Sequence, residues 1–183
     1  MTQNTLTLGS EMNRKDWDTY FIEMAILAST KSKDPSTKVG CVIVSQDHTV
    51  LSMGFNGFPR GVAEWSDWDA LDIPGKPKIS DRWTKRPEKY QWVEHAERNA
   101  VYNAAREGIA LKGAKAYLNW APEPCGECAR ALIQAGIVEI IGPNIPFGGA
   151  GNGVHYHTDE NSASYIMLEE AMVLRRTVIW NKT

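Results

Sequence analysis

Residues 94–142 read EHAERNAVYNAAREGIALKGAKAYLNWAPEPCGECARALIQAGIVEIIG, and their punctuation predicts two helix–strand units in succession. Glu94–Glu107 reads as a helix closed by Gly108 at the expected stop position, and Ala114–Asn119 as the strand that follows. Cys125–Ala135 reads as a second helix closed by Gly136, and Ile137–Gly142 as a second strand. Upstream, Arg14–Thr30 carries Trp17, Phe21, Met24 and Leu27 or Ala28 at helical spacing. The polar loop Lys31–Lys38, with Asp34-Pro35-Ser36, separates it from two strand-like runs, Val39–Ser45 and Val50–Phe55. The short link Gln46-Asp47-His48-Thr49 makes those two a hairpin. Downstream, a glycine-rich loop (Gly148 to Gly153) leads to a helix over Ser162–Met172 and a last strand over Leu174–Trp180. Helices alternating with strands after an initial hairpin predict an α/β fold, a mixed five-stranded sheet covered by helices on both faces. Loops that follow strands are where such folds collect their chemistry.

The segment at about 58–93 differs in character. It carries Pro59, Gly61, Pro74, Gly75, Pro77 and Pro87, with Trp65, Trp68, Trp83 and Trp92 interleaved. A structureless loop of that length is unusual inside a compact domain. It reads as an insertion, packed by its own tryptophans, within a single domain over residues 1–183. Four tryptophans are costly to leave in water, so part of the insertion is expected near a subunit contact in a homo-oligomer.

A formal charge of −2 argues against a protein that lives on nucleic-acid backbone. No stretch is apolar and long enough to span a bilayer, and Met1 to Asn13 has no apolar signal core, so a cytoplasmic location (host cytoplasm if viral) is expected. Three cysteines are too few for a disulfide framework. Cys41 lies in an apolar run and reads as a buried core thiol.

The other two cysteines, in Pro124-Cys125-Gly126-Glu127-Cys128, pair with His95-Ala96-Glu97. Cys125 and Cys128 are three apart at a helix start, so both sulfurs leave one face, where the amide dipoles favour thiolate. His95 would add a nitrogen from the start of the other helix. Three protein ligands leave one tetrahedral position open, the mark of a catalytic rather than a structural zinc. Glu97 stands two residues from His95 and is not a ligand; it is placed to serve as general acid and base. A redox Cys-x-x-Cys pair would leave His-x-Glu unexplained.

His95-Ala96-Glu97-Arg98-Asn99-Ala100 and Pro124-Cys125-Gly126-Glu127-Cys128-Ala129 resemble the deoxycytidylate deaminases, in a superfamily for which His-x-Glu with Pro-Cys-x-x-Cys is the known zinc signature. Similar too are Ser32-Lys33-Asp34-Pro35-Ser36-Thr37-Lys38-Val39-Gly40, Gly54-Phe55-Asn56-Gly57 and Ile133-Gln134-Ala135-Gly136-Ile137, and these narrow the family. The resemblance runs from about Arg14 to the end, and the insertion is reminiscent of bacteriophage members. It implies a three-layer α/β/α cytidine-deaminase-like fold and conversion of dCMP and water to dUMP and ammonia, which would supply dUMP for thymidylate synthesis. It also implies a homohexamer with dCTP and dTTP as effectors and Mg2+ accompanying the triphosphates. Carried over by residue, Ser36 and Lys38 fall where the family holds the 5′-phosphate, Asn56 where it contacts the deoxyribose 3′-hydroxyl, and Tyr156 near a tyrosine that closes over the phosphate. Two positions depart from the common pattern, Arg98 where many members have Leu and Phe55 where many have Tyr. The second touches the segment associated with the effector site and brings dCTP in as a further substrate. The insertion lacks cysteines, so no extra structural zinc is expected.

Three other readings are open, and one of them, a riboflavin-pathway pyrimidine deaminase, normally comes fused to a reductase domain that 183 residues are too few to hold. A tRNA adenosine deaminase needs a basic groove for a flipped base, against which the charge of −2 stands. A non-catalytic zinc module has no use for Glu97.

Overall fold

In a computed structural model of the chain, residues 14–64, 74–75, 77–144 and 162–179 are described. A five-stranded sheet runs in the order β2-β1-β3-β4-β5, formed by β1 (Gly40–Val44), β2 (Val50–Phe55), β3 (Lys115–Leu118), β4 (Glu139–Pro143) and β5 (Leu174–Val178). β1 is antiparallel to both β2 and β3, whereas β3, β4 and β5 run parallel, so the sheet is mixed as expected. The hairpin closes on Gln46–Thr49, with Ser45 and Thr49 paired through the backbone and His48 at φ 67°.

Strand β1 is buried along its whole length, and its period of two decides which helix each residue meets. Val42 and Val44 pack with Tyr117 and Ile141 against Phe21, Ile22 and Ala25 of α1 (Trp17–Ser29). Cys41 and Ile43 face the other way, joining Ala116, Leu118 and Ile140 under α4 (Ala96–Glu107), α5 (Gly126–Ala135) and α6 (Ala163–Glu170). These are the three α/β/α layers, one helix on one face and three on the other. Cys41 is a fully buried core thiol.

The structure corrects the reading of α1. Asp16 caps it, accepting from the Thr19 amide at 2.9 Å, so the helix starts at Trp17 rather than Arg14. Its buried apolar residues are Phe21, Ile22, Ala25 and Ala28, while Trp17 is 42% and Leu27 70% exposed. The apolar residues outnumber what one face holds, and the sheet selects the stripe that matches β1.

The insertion is not structureless where described. It forms α2 (Ile79–Thr84) and α3 (Lys89–Trp92) over a small core of Phe58, Ile79, Trp83 and Val93. Trp83 stacks on Phe58 with ring centroids 4.1 Å apart, and Arg82 lies 4.0 Å over Trp92. Trp65 and Trp68 lie outside the described residues.

Helix α4 reaches its place because β2 offers it a glycine. A Cβ at Gly54 would lie 2.3 Å from the Ala96 carbonyl oxygen and 2.4 Å from the Ala100 nitrogen. Backbone therefore packs on backbone just where His95 and Glu97 leave the helix. Gly54→Ala is expected to cost ~1–3 kcal/mol, the usual scale of overpacking. Gly57→Ala, where a Cβ meets nothing within 4 Å, should be far milder. Urea midpoints of the two variants check this.

Candidate metal centre

Two helix N-termini converge at one place. His95 is the N-cap of α4 and Cys125 the N-cap of α5, both in extended conformation, and Cys128 lies in the first turn of α5. Each position follows from local chemistry. Gly108 and Gly136 end the two helices at φ 69° and 82°, as predicted. Pro124 precedes the second helix, and the Ser164 hydroxyl of α6 donates to its carbonyl. A two-way backbone bridge between Gly57 and Glu94 (3.0 and 2.8 Å) holds the end of β2 against the start of α4.

His95, Cys125 and Cys128 form the group found among the described residues that could hold a metal ion, their donor atoms all within 4.8 Å of one another. His95 Nδ1 lies 3.4 Å from each sulfur. A tetrahedral zinc with ordinary Zn–S and Zn–N lengths separates S from N by about 3.6 Å. The donor set and its spacing therefore fit zinc.

Proton affinities reflect the crowding of anionic donors. A hydrogen bond from the Cys128 thiol, together with the His95 ring, pulls the Cys125 pKa down to about 3. The same shared proton, reinforced by burial, pushes Cys128 up. Burial also works against charge on His95, but the Cys125 and Glu97 anions outweigh it and raise its pKa. Such a site would exchange protons for a divalent cation.

Glu97 is fully buried in the first turn of α4. Neither carboxylate oxygen makes a hydrogen bond of ordinary geometry among the described residues, and burial raises its pKa. An orphaned buried carboxylate beside an open donor cluster is costly, and a polar guest is what offsets it. Arg98 bridges Glu94, just before its own helix, and Glu127 of α5, so the residue that departs from the family pattern ties the starts of the two helices together.

The remaining predicted site residues divide. Ser36 and Lys38 are exposed on the loop before β1, and Lys38 has no charged partner among the described residues. Asn56 is buried and spent on the loop itself. Its Oδ1 accepts from the Val39 amide at 2.8 Å, and its Nδ2 donates to the Thr37 carbonyl at 2.9 Å and to Asp34 at 3.1 Å. Tyr156 lies outside the described residues.

Three residues that the sequence did not single out organise this loop. Asp34, 1% exposed, accepts from the Ser36 and Thr37 amides, the Ser36 hydroxyl, Asn56 and Lys89. Burial alone would raise its pKa; the hydrogen bonds from Lys89 and Ser36 outweigh that and hold it below the ordinary carboxylate range. Asn119, just past β3, accepts from the Gly40 amide at 2.9 Å and donates to the Lys38 carbonyl at 3.1 Å, joining this loop to the segment that leads to Cys125. Asp34-Pro35-Ser36 carried a turn signal for the first of these; nothing in the sequence pointed to Asn119 or Lys89.

The fold and the His/Cys/Cys site define a zinc-type α/β deaminase class. The family model for the cytidine and deoxycytidylate deaminase zinc-binding region matches residues 15–142, and the chain belongs to that family of hydrolytic deaminases. It is 33% identical to the deoxycytidylate deaminase of Pongo abelii over 164 residues, covering 90% of this chain and 80% of that one. It is 35% identical to a probable deoxycytidylate deaminase of Drosophila melanogaster over 125 residues, 68% of this chain and 58% of the other. The chain thus spans little more than half the length of some curated relatives. Among solved structures, the apo dCMP deaminase of cyanophage S-TIM5 superposes with a TM-score of 0.62 at 21% identity, covering 90% of this chain and 99% of that one. The same phage protein in complex with dCMP and dUMP gives 0.59, covering 87% and 94%. At that identity the likeness shows the fold, an α/β mixed sheet of the cytidine-deaminase type. No described helix is long and apolar enough to cross a membrane.

Two outcomes follow from this geometry. Cys128→Ala should drop bound zinc from one per chain to near none, read by elemental analysis after dialysis. The depressed Asp34 pKa gives a pH signature. Its contribution to stability is present above the unfolded-state aspartate pKa and is lost as pH falls through the lower folded value. Asp34→Asn should flatten stability against pH in that acid window and leave the slope near neutrality unchanged, measured by urea midpoints across pH.

Proposed function

We propose that this chain hydrolyses dCMP to dUMP and ammonia at the His95, Cys125 and Cys128 centre. The observation that carries the reading is Glu97, fully buried next to the three convergent donors, with neither oxygen making a hydrogen bond of ordinary geometry among the described residues. A structural metal site gains nothing from such a carboxylate. His95 Nδ1 and the two sulfurs would hold the zinc. When bound, zinc polarises a water enough to ionise near neutral pH.

Glu97 then handles the protons. It takes one proton from the attacking water and gives it to N3 of the cytosine ring, then takes the second from the hydroxyl now on C4 and gives it to the exocyclic amine as that leaves. The water oxygen ends on C4 and the amine departs as ammonia, so atoms balance. Burial keeps bulk water from that carboxylate. Arg98, clamping α4 to α5, keeps His95 and the cysteines in register. On the loop at the far end of the nucleotide, Ser36 and Lys38 hold the 5′-phosphate. Asn56 frames the sugar, its amide fixed by the contacts described above, and Tyr156 completes the phosphate end. A lysine grips phosphate as a point charge and does not count oxygens, so dCTP is carried as a second substrate. Relatives named deoxycytidylate deaminase and a solved relative in complex with dCMP and dUMP support dCMP. A homo-oligomer, hexamer preferred, and control by dCTP and dTTP belong to the same reading.

Glu97→Gln should keep its zinc and lose ~100-fold to ~10,000-fold in turnover, the usual worth of a placed proton carrier. Ammonia release and metal content, measured on one preparation, check both halves; wild-type turnover would overturn the assignment. Lys38→Ala should weaken kcat/KM for dCMP by about 1.5–3 kcal/mol, the scale of a charged hydrogen bond, and do far less to deoxycytidine.

A further inference from the structure

The insertion sends one side chain into the loop just described. Lys89, the first residue of α3, is 13% exposed, and its ammonium lies 2.7 Å from Asp34 Oδ2, 2.9 Å from Asp34 Oδ1 and 2.8 Å from Ser36 Oγ. A second link runs from Lys33 to Glu64, so the insertion holds the 33–36 turn from two sides. Lys89 is far from free to grip a ligand of its own. Its donors are committed to three oxygens, and its charge is matched by a buried carboxylate.

What it does to Ser36 is more specific. The Ser36 hydroxyl donates to Asp34 Oδ1 at 2.8 Å while its oxygen accepts from Lys89. Asp34 is richly supplied and keeps two amides, Asn56 and Lys89 if that hydroxyl turns away. Rotation about Cβ–Oγ alone re-aims the proton outward, because Lys89 continues to hold the oxygen in place. The ammonium also polarises the hydroxyl, which makes it a stronger donor to an anion.

We propose that Lys89 is a positioning residue for nucleotide specificity: it fixes Ser36 as an aimed, polarised donor to the 5′-phosphate and so makes the insertion part of the substrate-reading apparatus. The inference rests on the dCMP reading above. It assigns Lys89 no contact with substrate, and it separates the roles of two lysines, Lys38 as an exposed charge and Lys89 as the support of its neutral neighbour.

The test is the ratio of kcat/KM for dCMP to that for deoxycytidine, in wild type, Lys89→Met, Ser36→Ala and the double variant, with zinc content measured on each. Lys89→Met should lower the ratio about tenfold, chiefly through KM for dCMP, the size of losing one charge-supported hydrogen bond. Because Lys89 acts through Ser36, adding Ser36→Ala to Lys89→Met should change the ratio less than about twofold, a non-additive cycle. Lys89→Met strands the Asp34 carboxylate, so Asp34→Asn with Lys89→Met is the companion variant that removes both charges. It should keep its zinc and still show the lowered ratio. Return of the ratio to wild type in that companion would mean that the stranded carboxylate caused the loss, and would overturn the proposal. So would equal losses on both substrates, or additive effects of Ser36 and Lys89. A wild type that turns over dCMP no better than deoxycytidine would bring down the dCMP reading itself; a wild type that discriminates, with an unchanged ratio in Lys89→Met, brings down this inference alone.

Discussion

The site depends on one packing constraint: the first turns of α4 and α5 must meet, N-terminus to N-terminus, over the same end of the sheet. Like ends of helix dipoles repel, and each end leaves amide donors unsatisfied. Anionic groups between them relieve both problems, and this chain places the Cys125 sulfur, held well below the usual thiol range, at the start of α5 and the Glu97 carboxyl in the first turn of α4. Gly54 makes the approach possible by letting α4 lie backbone to backbone on β2. The Arg98 bridge to Glu94 and Glu127 then spans the two helices. Function and fold are coupled here, because the groups that quiet the helix ends are those that would bind metal and move protons.

Glu97 shows the cost of that coupling. A carboxylate with no exposed surface and no ordinary hydrogen bond is a strained element in stability terms. It is tolerable because the surrounding packing over-determines its place: Ala96 and Ala100 of the same helix are fully buried against the sheet. In the proposed reaction that placement is an advantage, since a group held still and dry needs little reorganisation when a proton arrives.

The loop before β1 solves a different problem, how to hold an exposed turn rigid without a core beneath it. Asp34 does so by collecting donors from its own turn, from Asn56 at the end of β2 and from Lys89 in the insertion. Asn119 adds the link to the end of β3. The 34–40 segment is thereby bound to the end of β3 and to the insertion together, so a shift in either is felt at Ser36 and Lys38.

Much of this was legible in residues 94–142 alone. Helix stops at Gly108 and Gly136 and the strands that follow those helices are local consequences of glycine conformation and periodicity, and the candidate ligands His95, Cys125 and Cys128 are legible from ligand chemistry and spacing, although their meeting is tertiary. Resemblance then added the loop residues Ser36, Lys38 and Asn56. Strand β2 matched its expected limits because Val50–Phe55 is bounded by turn residues on both sides. The stripe of α1 that enters the core, the small core of Phe58 and Trp83, and the role of Lys89 were not legible. Each depends on a partner far away in sequence: Lys89 lies 55 residues from Asp34 and 53 from Ser36, and no periodicity or spacing rule couples such positions. By itself the sequence determined the helices and strands outside the insertion, because those follow from neighbours within a turn or a strand, and it named the candidate ligands by their chemistry. The tertiary structure alone decided which charge meets which, because an ion pair between an insertion and a loop exists only once the sheet and helices have brought their ends together.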